Sequence, residues 1–407
     1  MTQEVYTPEV IPAAQTQHQW HHSSVPYEIE KGKAAAYTKT KFTQMIARAQ
    51  STAPATFDRM ERERPQNWLI PGGRLKVNQI QNGGSVRDAL GLSFEHPEGG
   101  EIKLGIHSNA LSQMASKTKV PMKLIRQMTD DNQVDKVAQL LEWRLWDVEP
   151  DKHHLIRSAV GQARGFLSDS YGIYDVAPVI GDFVKSCRDA GGVPSEVMFS
   201  DTTFRLKFLT DRYYEPLKDE VLMFGLMLRG SDYGVGALEI SQIVMRCLCT
   251  NYQTSERAYR QVHLGKKLEI ADLSEATLIK RGEFLQGVMR DKVGVALGGE
   301  SIQRKLAQIV KADSEGVKIE TLTQAWAKSG KITGGERDRI LELATVDNVE
   351  LLPPVRQIFA SGETSAYRFS NILSLLGNES GDDGKEERKE HFEKLAGQAM
   401  GVATVAA

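Results

Sequence analysis

One strand-like stretch combines an apolar alternation with two cations. Phe204, Leu206 and Phe208 alternate with Arg205 and Lys207. Successive side chains of a strand point to opposite faces. A strand that buries the apolar set would therefore present two cations on its other face, where they could meet phosphates.

The segment from 246 to 267 adds cations and rings. It holds five Lys and Arg residues, a single acid, Glu256, and interleaved tyrosines. Cations that neutralise phosphates and rings that stack on bases are what sequence-tolerant single-strand binding requires. A solvated helix face with core tyrosines explains this segment equally well. The predicted nucleic-acid-binding set is Arg205, Lys207, Arg246, Tyr252, Arg257, Tyr259, Arg260, Lys266 and Lys267.

A second pattern, in residues 111 to 128, is compatible with duplex DNA. Ala115 and Ile125 are ten residues apart, as two core positions of a helix-turn-helix are. The turn would fall at Lys119 and Val120, with Lys119 at a position that favours glycine. A major-groove reader is therefore an alternative that the sequence leaves open.

Several enzyme classes lack their signatures. The chain has no Walker loop, no Gly-x-Ser-x-Gly elbow and no His-Glu-x-x-His helix. Gly230, Gly234 and Gly236 lie between two predicted strands and are interpreted as a hairpin connection. Asp88, Glu101 and Lys103 have only the loose spacing of a metal-dependent nuclease. We predict no catalytic residue, no metal site and no cofactor.

Composition is that of a globular protein. The chain has 407 residues, of which 41% are hydrophobic and 26% charged, with a formal net charge of −2. No apolar stretch approaches the ~20 residues that cross a bilayer, so a cytoplasmic location without membrane contact is expected. Cys187, Cys247 and Cys249 are expected to be reduced core residues.

Hydrophobic periodicity and caps divide the chain into four parts. Residues 1–60 are predicted to be a flexible arm with one short helix near 39–50, and residues 61–295 an α+β core domain. Residues 296–378 are predicted to be a helical subdomain that includes a Thr333-x-x-Glu336 capping box. Residues 379–407 are expected to be a disordered tail.

Within the core domain, three short helices are predicted between Ser108 and Trp146. Strands follow over 154–168, with a break at Gly161, then a helix to Ala190 and four closely spaced strands between Ser195 and Cys249. A long helical region is predicted from about Ser255 to Gly294. The fold class is therefore α+β, with an antiparallel sheet flanked by helices, a C-terminal helical subdomain and disordered termini.

Three motifs carry a resemblance to a known family. They are Asn109-Ala110-Leu111 through Val120-Pro121, the run 164–171 with Asp175, and Gly225–Leu228 with Gly234–Leu238 and Cys249-Thr250-Asn251. Together they resemble a phage and plasmid protein family of unassigned activity. Ser170 stands where the family form has Arg. The family-motif residues in this chain are Arg164, Phe166, Ser168, Asp169, Tyr171 and Asp175.

The resemblance implies a mobile genetic element setting but no reaction. With the cationic segments, it leads to the hypothesis of a non-enzymatic nucleic-acid-binding protein, with single-stranded DNA as the partner and homo-oligomers compatible with the pattern. The order of strands followed by a long helix is similar to annealing proteins of recombination at the level of fold alone. The alternatives are a protein-interaction or host-takeover factor that binds no nucleic acid, and the metal-dependent nuclease.

Overall fold

The computed structural model describes residues 25–35, 40–80, 89–96, 99–148, 150–172, 176–249, 251–261, 275–381 and 386–401. Strands are numbered β1 to β14 and helices α1 to α12 in chain order. No described helix is long and apolar enough to cross a membrane. The fold is α+β, as predicted.

Sheet I is the first of two six-stranded sheets in the described chain, with strand order β2-β6-β7-β5-β4-β3. All of its pairs are antiparallel except β5 with β7, so it is mixed, not purely antiparallel. Val160 and Gly161, with φ of 51° and 72°, form the two-residue hairpin between β6 and β7. The strands are β2 (Gln66–Pro71), β3 (Lys76–Gln79), β4 (Leu90–Glu95), β5 (Glu101–Ile106), β6 (His153–Ala159) and β7 (Gln162–Ser168).

Sheet II is antiparallel and has the order β1-β9-β10-β11-β12, with β8 also paired to β9. β10 and β11 are buried along nearly their whole length because both faces of the sheet are covered. The strands are β1 (Glu28–Ile29), β8 (Gly192–Phe199), β9 (Phe204–Leu217), β10 (Glu220–Gly230), β11 (Leu238–Arg246) and β12 (Asn251–Gln261). A small pair, β13 (Gly316–Lys318) and β14 (Glu363–Ser365), joins the C-terminal helices.

Helices cover both sheets. α3, α4 and α5 pack on sheet I through a core that includes Met114, Ile125 and Leu141. α6 and α7 contribute Phe183 and Met289 to a core with sheet II. The first helices are α1 (Lys31–Ala34), α2 (Thr40–Arg62), α3 (Ser108–Thr118), α4 (Met122–Asp130), α5 (Val134–Val148), α6 (Val176–Asp189) and α7 (Glu275–Leu297).

The C-terminal helices share one core with sheet II, in which Phe224 and Val244 of the sheet contact Phe369 and Ile372. These C-terminal helices therefore form a cover on sheet II. Thr333 and Glu336 form the predicted capping box of α10. These helices are α8 (Gly299–Ser314), α9 (Ile319–Lys328), α10 (Gly334–Ala344), α11 (Ala366–Gly381) and α12 (Glu386–Ala399).

Four boundaries differ from the sequence predictions. The 255–294 region begins as strand β12 to Gln261, and its next described part, from Glu275, is helix α7; α11 runs past Gly377 to Gly381. α2 is a 23-residue helix that buries Met60, and β1 pairs with β9, so the described part of the arm belongs to the core. α12 lies inside the tail that was predicted to be disordered.

Candidate nucleic-acid interface

The two cations of β9 point away from its apolar residues, as predicted, but they do not reach solvent. Lys207 is fully buried, and its Nζ donates to the carboxylate of Glu393 on α12 at 2.7 and 2.9 Å. Arg205 forms an ion pair with Glu196 of β8. The second face of the strand is covered by α12, whose Glu393 adds a second carboxylate to Lys207 beside Glu196 of β8, so both buried cations have carboxylate partners.

Arg246 and Tyr252 are also internal. The guanidinium of Arg246 donates to both oxygens of Glu220 at 2.6 and 2.7 Å and to the Val349 carbonyl at 2.8 Å. The ring of Tyr252 lies under the Lys207 ammonium, 4.2 Å from its centroid. The prediction that Arg205, Lys207, Arg246 and Tyr252 form an accessible phosphate-binding and stacking face is therefore wrong for this structure.

The electrostatics of this buried network favour the ionised forms. Burial opposes ionisation of Glu196, but the charges of Lys207, Arg205 and Lys389 outweigh it and lower its pKa to about 2. Burial likewise opposes the charge on Arg246, but the hydrogen bonds that it donates to Glu220 raise its pKa above the usual value. These residues therefore form internal ion pairs.

The remaining residues of the predicted nucleic-acid-binding set lie on β12 or follow it in the chain. Arg257, Tyr259 and Arg260 are opposite Ser241, Ile240 and Glu239 of β11, on a strand and not on a helix. Their side chains, and the whole of Lys266 and Lys267, lie outside the described part of the structure. Their contact with nucleic acid stays a prediction.

Residues of the family-motif run lie where sheet I meets sheet II, a contact region that we call the joint. Arg164 of β7 donates to Glu63 at 2.6 Å, its guanidinium lies 3.8 Å from Asp201, and it sits over the ring of Tyr233. Burial opposes ionisation of Glu63, but hydrogen bonds from Arg59 and Arg164 hold its pKa below the usual value. The joint is a polar network that holds α2, sheet I and the 200–203 turn together.

The other described residues of the motif also make contacts inside the protein. The ring of Phe166 stacks on His154 at 4.7 Å, and Tyr171 is buried. The Oδ1 of Asp169 accepts a hydrogen bond from the backbone N–H of Ser170 at 2.7 Å, the local role expected for an Asp in a turn. Ser168 and Ser170 share a hydroxyl hydrogen bond of 3.2 Å, and Asp175 lies outside the described residues.

The connection between β10 and β11, residues 231–237, docks into this joint. The Tyr233 carbonyl accepts hydrogen bonds from Asn109 at 3.0 Å and Gln113 at 2.8 Å, both on α3. Gly234 has φ of 76°, and a Cβ there would lie 2.5 Å from Leu167. The hairpin interpretation of these glycines is confirmed, because β10 and β11 pair directly.

α3 and α4 are joined by three residues in the manner of a helix-turn-helix pair. The core positions Ala115 and Ile125 are both buried. Lys119 adopts the left-handed conformation at φ 56° and ψ 31°, the backbone state for which such turns favour glycine. The N-cap of α3 is His107, and not Ser108, because the ring Nδ1 of His107 accepts the N–H of Asn109. α3 therefore begins at Ser108.

The outer surface of this helix pair is cationic. Residues 107 to 129 contain four Lys and Arg residues and no Asp or Glu. Lys119, Lys123 and Arg126 are exposed and have no ion-pair partner among the described residues. Many exposed cations elsewhere are paired, as Lys31 is with Asp211 and Arg339 with Glu379. We call Lys119, Lys123 and Arg126 the α3–α4 cations.

The sequence analysis missed an exposed aromatic side chain beside this turn. Trp143 of α5 is 57% exposed, on the opposite side of the helix from the buried Leu141 and Leu145. Arg144 places its guanidinium over the Trp143 ring, 5.5 Å from the centroid, and donates to the Thr118 carbonyl at 3.1 Å. The exposed position of Trp143 in the helical period is the signal that could have found it.

Of the three nuclease candidates, the described residues include Glu101 and Lys103. Glu101 and Lys103 form an exposed ion pair of 3.1 Å on β5, and Asp88 lies outside the described part. The described residues contain no cluster of three or more His, Cys, Asp or Glu suited to a metal ion. Cys187 and Cys247 are buried, as predicted, and burial raises the pKa of each thiol.

No family model, no curated protein and no solved structure matches this chain. The mobile-element resemblance therefore stays a prediction from the three sequence motifs. The functional interpretation depends on the geometry of the surface formed by α3, α4 and α5.

Proposed function

We propose that this protein is a nucleic-acid-binding protein and that the α3–α4 cations contact the phosphate backbone. The observation that carries the proposal is the acid-free stretch from 107 to 129, whose exposed cations have no internal partner among the described residues. Local clusters of this kind determine phosphate affinity even when the net charge of the chain is negative.

The contrast with sheet II supports this location. Its buried cations have carboxylate partners, so a phosphate would have to displace Glu393 or Glu220 from an internal ion pair. At the α3–α4 surface a phosphate would displace only water and counterions. Counterion release then favours binding and makes it dependent on salt concentration.

The test is fluorescence anisotropy of labelled oligonucleotides at several salt concentrations. The variant Lys119→Gln, Lys123→Gln, Arg126→Gln removes three charges and keeps side-chain size. We expect weaker binding and a slope of log affinity against log salt that falls by about 2 to 3, since each phosphate contact contributes about 0.7 to 0.9.

The matched control removes two Lys and one Arg from α8, β13 and α9 in the C-terminal region: Arg304→Gln, Lys318→Gln and Lys328→Gln. These residues are also exposed and without ion-pair partners among the described residues. An unchanged slope in the α3–α4 variant, or the same loss in the control, would contradict the proposal.

The alternative is a protein-interaction factor, and one observation favours it. The connection between α10 and β14 exposes apolar side chains, with Ile358 fully exposed and Val355 more than half exposed. Such side chains are typical of contact surfaces when they cluster. Failure of the wild-type protein to bind any oligonucleotide at low salt would favour this alternative.

A further inference from the structure

The aromatic ring beside the α3–α4 cations indicates which kind of nucleic acid this surface binds. The exposed ring of Trp143 is connected to the cationic turn through Arg144. The Arg144 guanidinium lies over the ring and donates to the carbonyl of Thr118, the residue before Lys119. A stacking surface and a phosphate-binding cation therefore lie side by side.

We propose that Trp143 stacks on an unpaired base, so that this surface binds single-stranded nucleic acid in preference to duplex; the proposal rests on the proposed function above. Every base has a flat π face, and a ring that stacks on it adds affinity without requiring a sequence. In a duplex the base faces are already stacked and cannot meet Trp143.

The helix that carries Trp143 is fixed in place. The Nε1 of Trp146, one turn further on, donates to the Leu75 carbonyl at 2.9 Å, and Glu142 accepts the N–H of Val77 at 2.9 Å. Arg144 is also paired with Asp147 at 3.2 Å. A platform that is ordered before binding loses little conformational entropy when a base stacks on it.

The major-groove alternative has two features against it on α4. Leu124 is 40% exposed beside Lys123, and α4 ends in the exposed Asp130 with Asp131 next to it. Carboxylates at the end of a recognition helix would repel the phosphates that flank a groove. Stacking and phosphate contact are common to single-stranded DNA and RNA, and the RNA oligonucleotide in the experiment separates the two.

The experiment compares Trp143→Ala and Trp143→Phe with the full-length wild-type protein on a single-stranded DNA, the matching duplex and an RNA of the same sequence. We expect wild type to prefer the single strands to the duplex. Trp143→Ala should weaken that binding about 5- to 150-fold, while Trp143→Phe, which keeps a ring, should stay much closer to wild type. Duplex affinity should change little.

The control is Phe284→Ala, which removes an exposed aromatic side chain from α7. Tighter binding of the duplex than of the single strands by wild type, or equal affinities of Trp143→Ala and wild type for the single strands, would overturn the inference while leaving nucleic-acid binding intact. Absence of all binding would reject the proposed function itself. Self-association that Trp143→Ala abolishes, without binding to DNA, would assign the patch to a second copy of the chain.

Discussion

At the scale of single residues, the informative feature is the contrast between cations that are paired inside the protein and cations that are not. Lys207 and Arg246 are fully buried or nearly so, and each faces a carboxylate at hydrogen-bonding distance. Removal of one partner of such a pair leaves a buried charge without compensation, which costs far more than the pair contributes net.

Lys207→Met should therefore lower the free energy of unfolding by about 3 to 5 kcal/mol, because Glu393 is left buried without its main partner. The double variant Lys207→Met, Glu393→Leu should recover most of that loss. Urea unfolding of both variants and wild type measures these differences. A double variant no more stable than the single one would contradict the prediction.

The double variant at Lys207 and Glu393 also tests whether Lys207 contacts DNA or acts only inside the protein. If Lys207 acts only inside the protein, the folded double variant should bind oligonucleotides with wild-type affinity and salt dependence. Loss of binding in a well-folded double variant would mean that sheet II contributes to the interface after all.

At the scale of elements, α12 shows how a polar sequence becomes a buried helix. Its sequence is rich in Glu and Lys, and only a few apolar residues interrupt the charges. Those residues, Phe392, Leu395 and Ala396, pack into the core with α11. Its acids Glu390 and Glu393 meet Arg229 and Lys207 of sheet II. The helix therefore depends on contacts with segments more than a hundred residues earlier in the chain.

Phe392→Ala should destabilise the protein by about 3 to 5 kcal/mol, the usual cost when a fully buried aromatic side chain is removed from a core. Glu387→Ala, at an exposed position of the same helix, should change stability by less than about 0.5 kcal/mol. Denaturant midpoints of the two variants test this. Equal midpoints for Phe392→Ala and wild type would mean that α12 is not docked in solution.

At the scale of the whole molecule, the two sheets are held together by the joint around Arg164 and the 231–237 connection. The joint contains several hydrogen bonds to backbone carbonyls, such as the bond of 2.8 Å from Arg157 to the Asp232 carbonyl. Burial raises the pKa of Tyr233 to about 12, so its phenol stays neutral at physiological pH. Sheet I, on which α3 and α4 with their cations pack, is thereby fixed to sheet II.

The variant Asn109→Ala, Gln113→Ala removes the side chains that bind the Tyr233 carbonyl and the backbone of β7. Each lost hydrogen bond is worth about 1 kcal/mol, so amide exchange in 231–237 and β7 should become about tenfold faster or more. Exchange in the C-terminal helices α8 to α11 should stay unchanged. The control, Thr333→Ala, should accelerate exchange only at the start of α10.

The sequence by itself determined the elements whose signals are local. The helices α3 to α6, the strands β6 to β11 and the capping box at Thr333 follow from periodicity, turn residues and caps, which act between residues close in the chain. β2 to β4 and the extent of β12 were missed. Strand pairing is non-local, and a strand in a sheet and a polar helix can share the same composition.

Only the tertiary structure decided which cations reach solvent. The alternation in β9 correctly placed Arg205 and Lys207 on one face, but whether that face is covered depends on α12, almost two hundred residues later. Lys119, Lys123 and Arg126 gave no stronger signal in the sequence, yet they remain exposed because α3 and α4 turn their apolar residues, and not these cations, toward the core that they share with sheet I and α5. Burial results from the packing of distant segments, and periodicity within one element cannot report it.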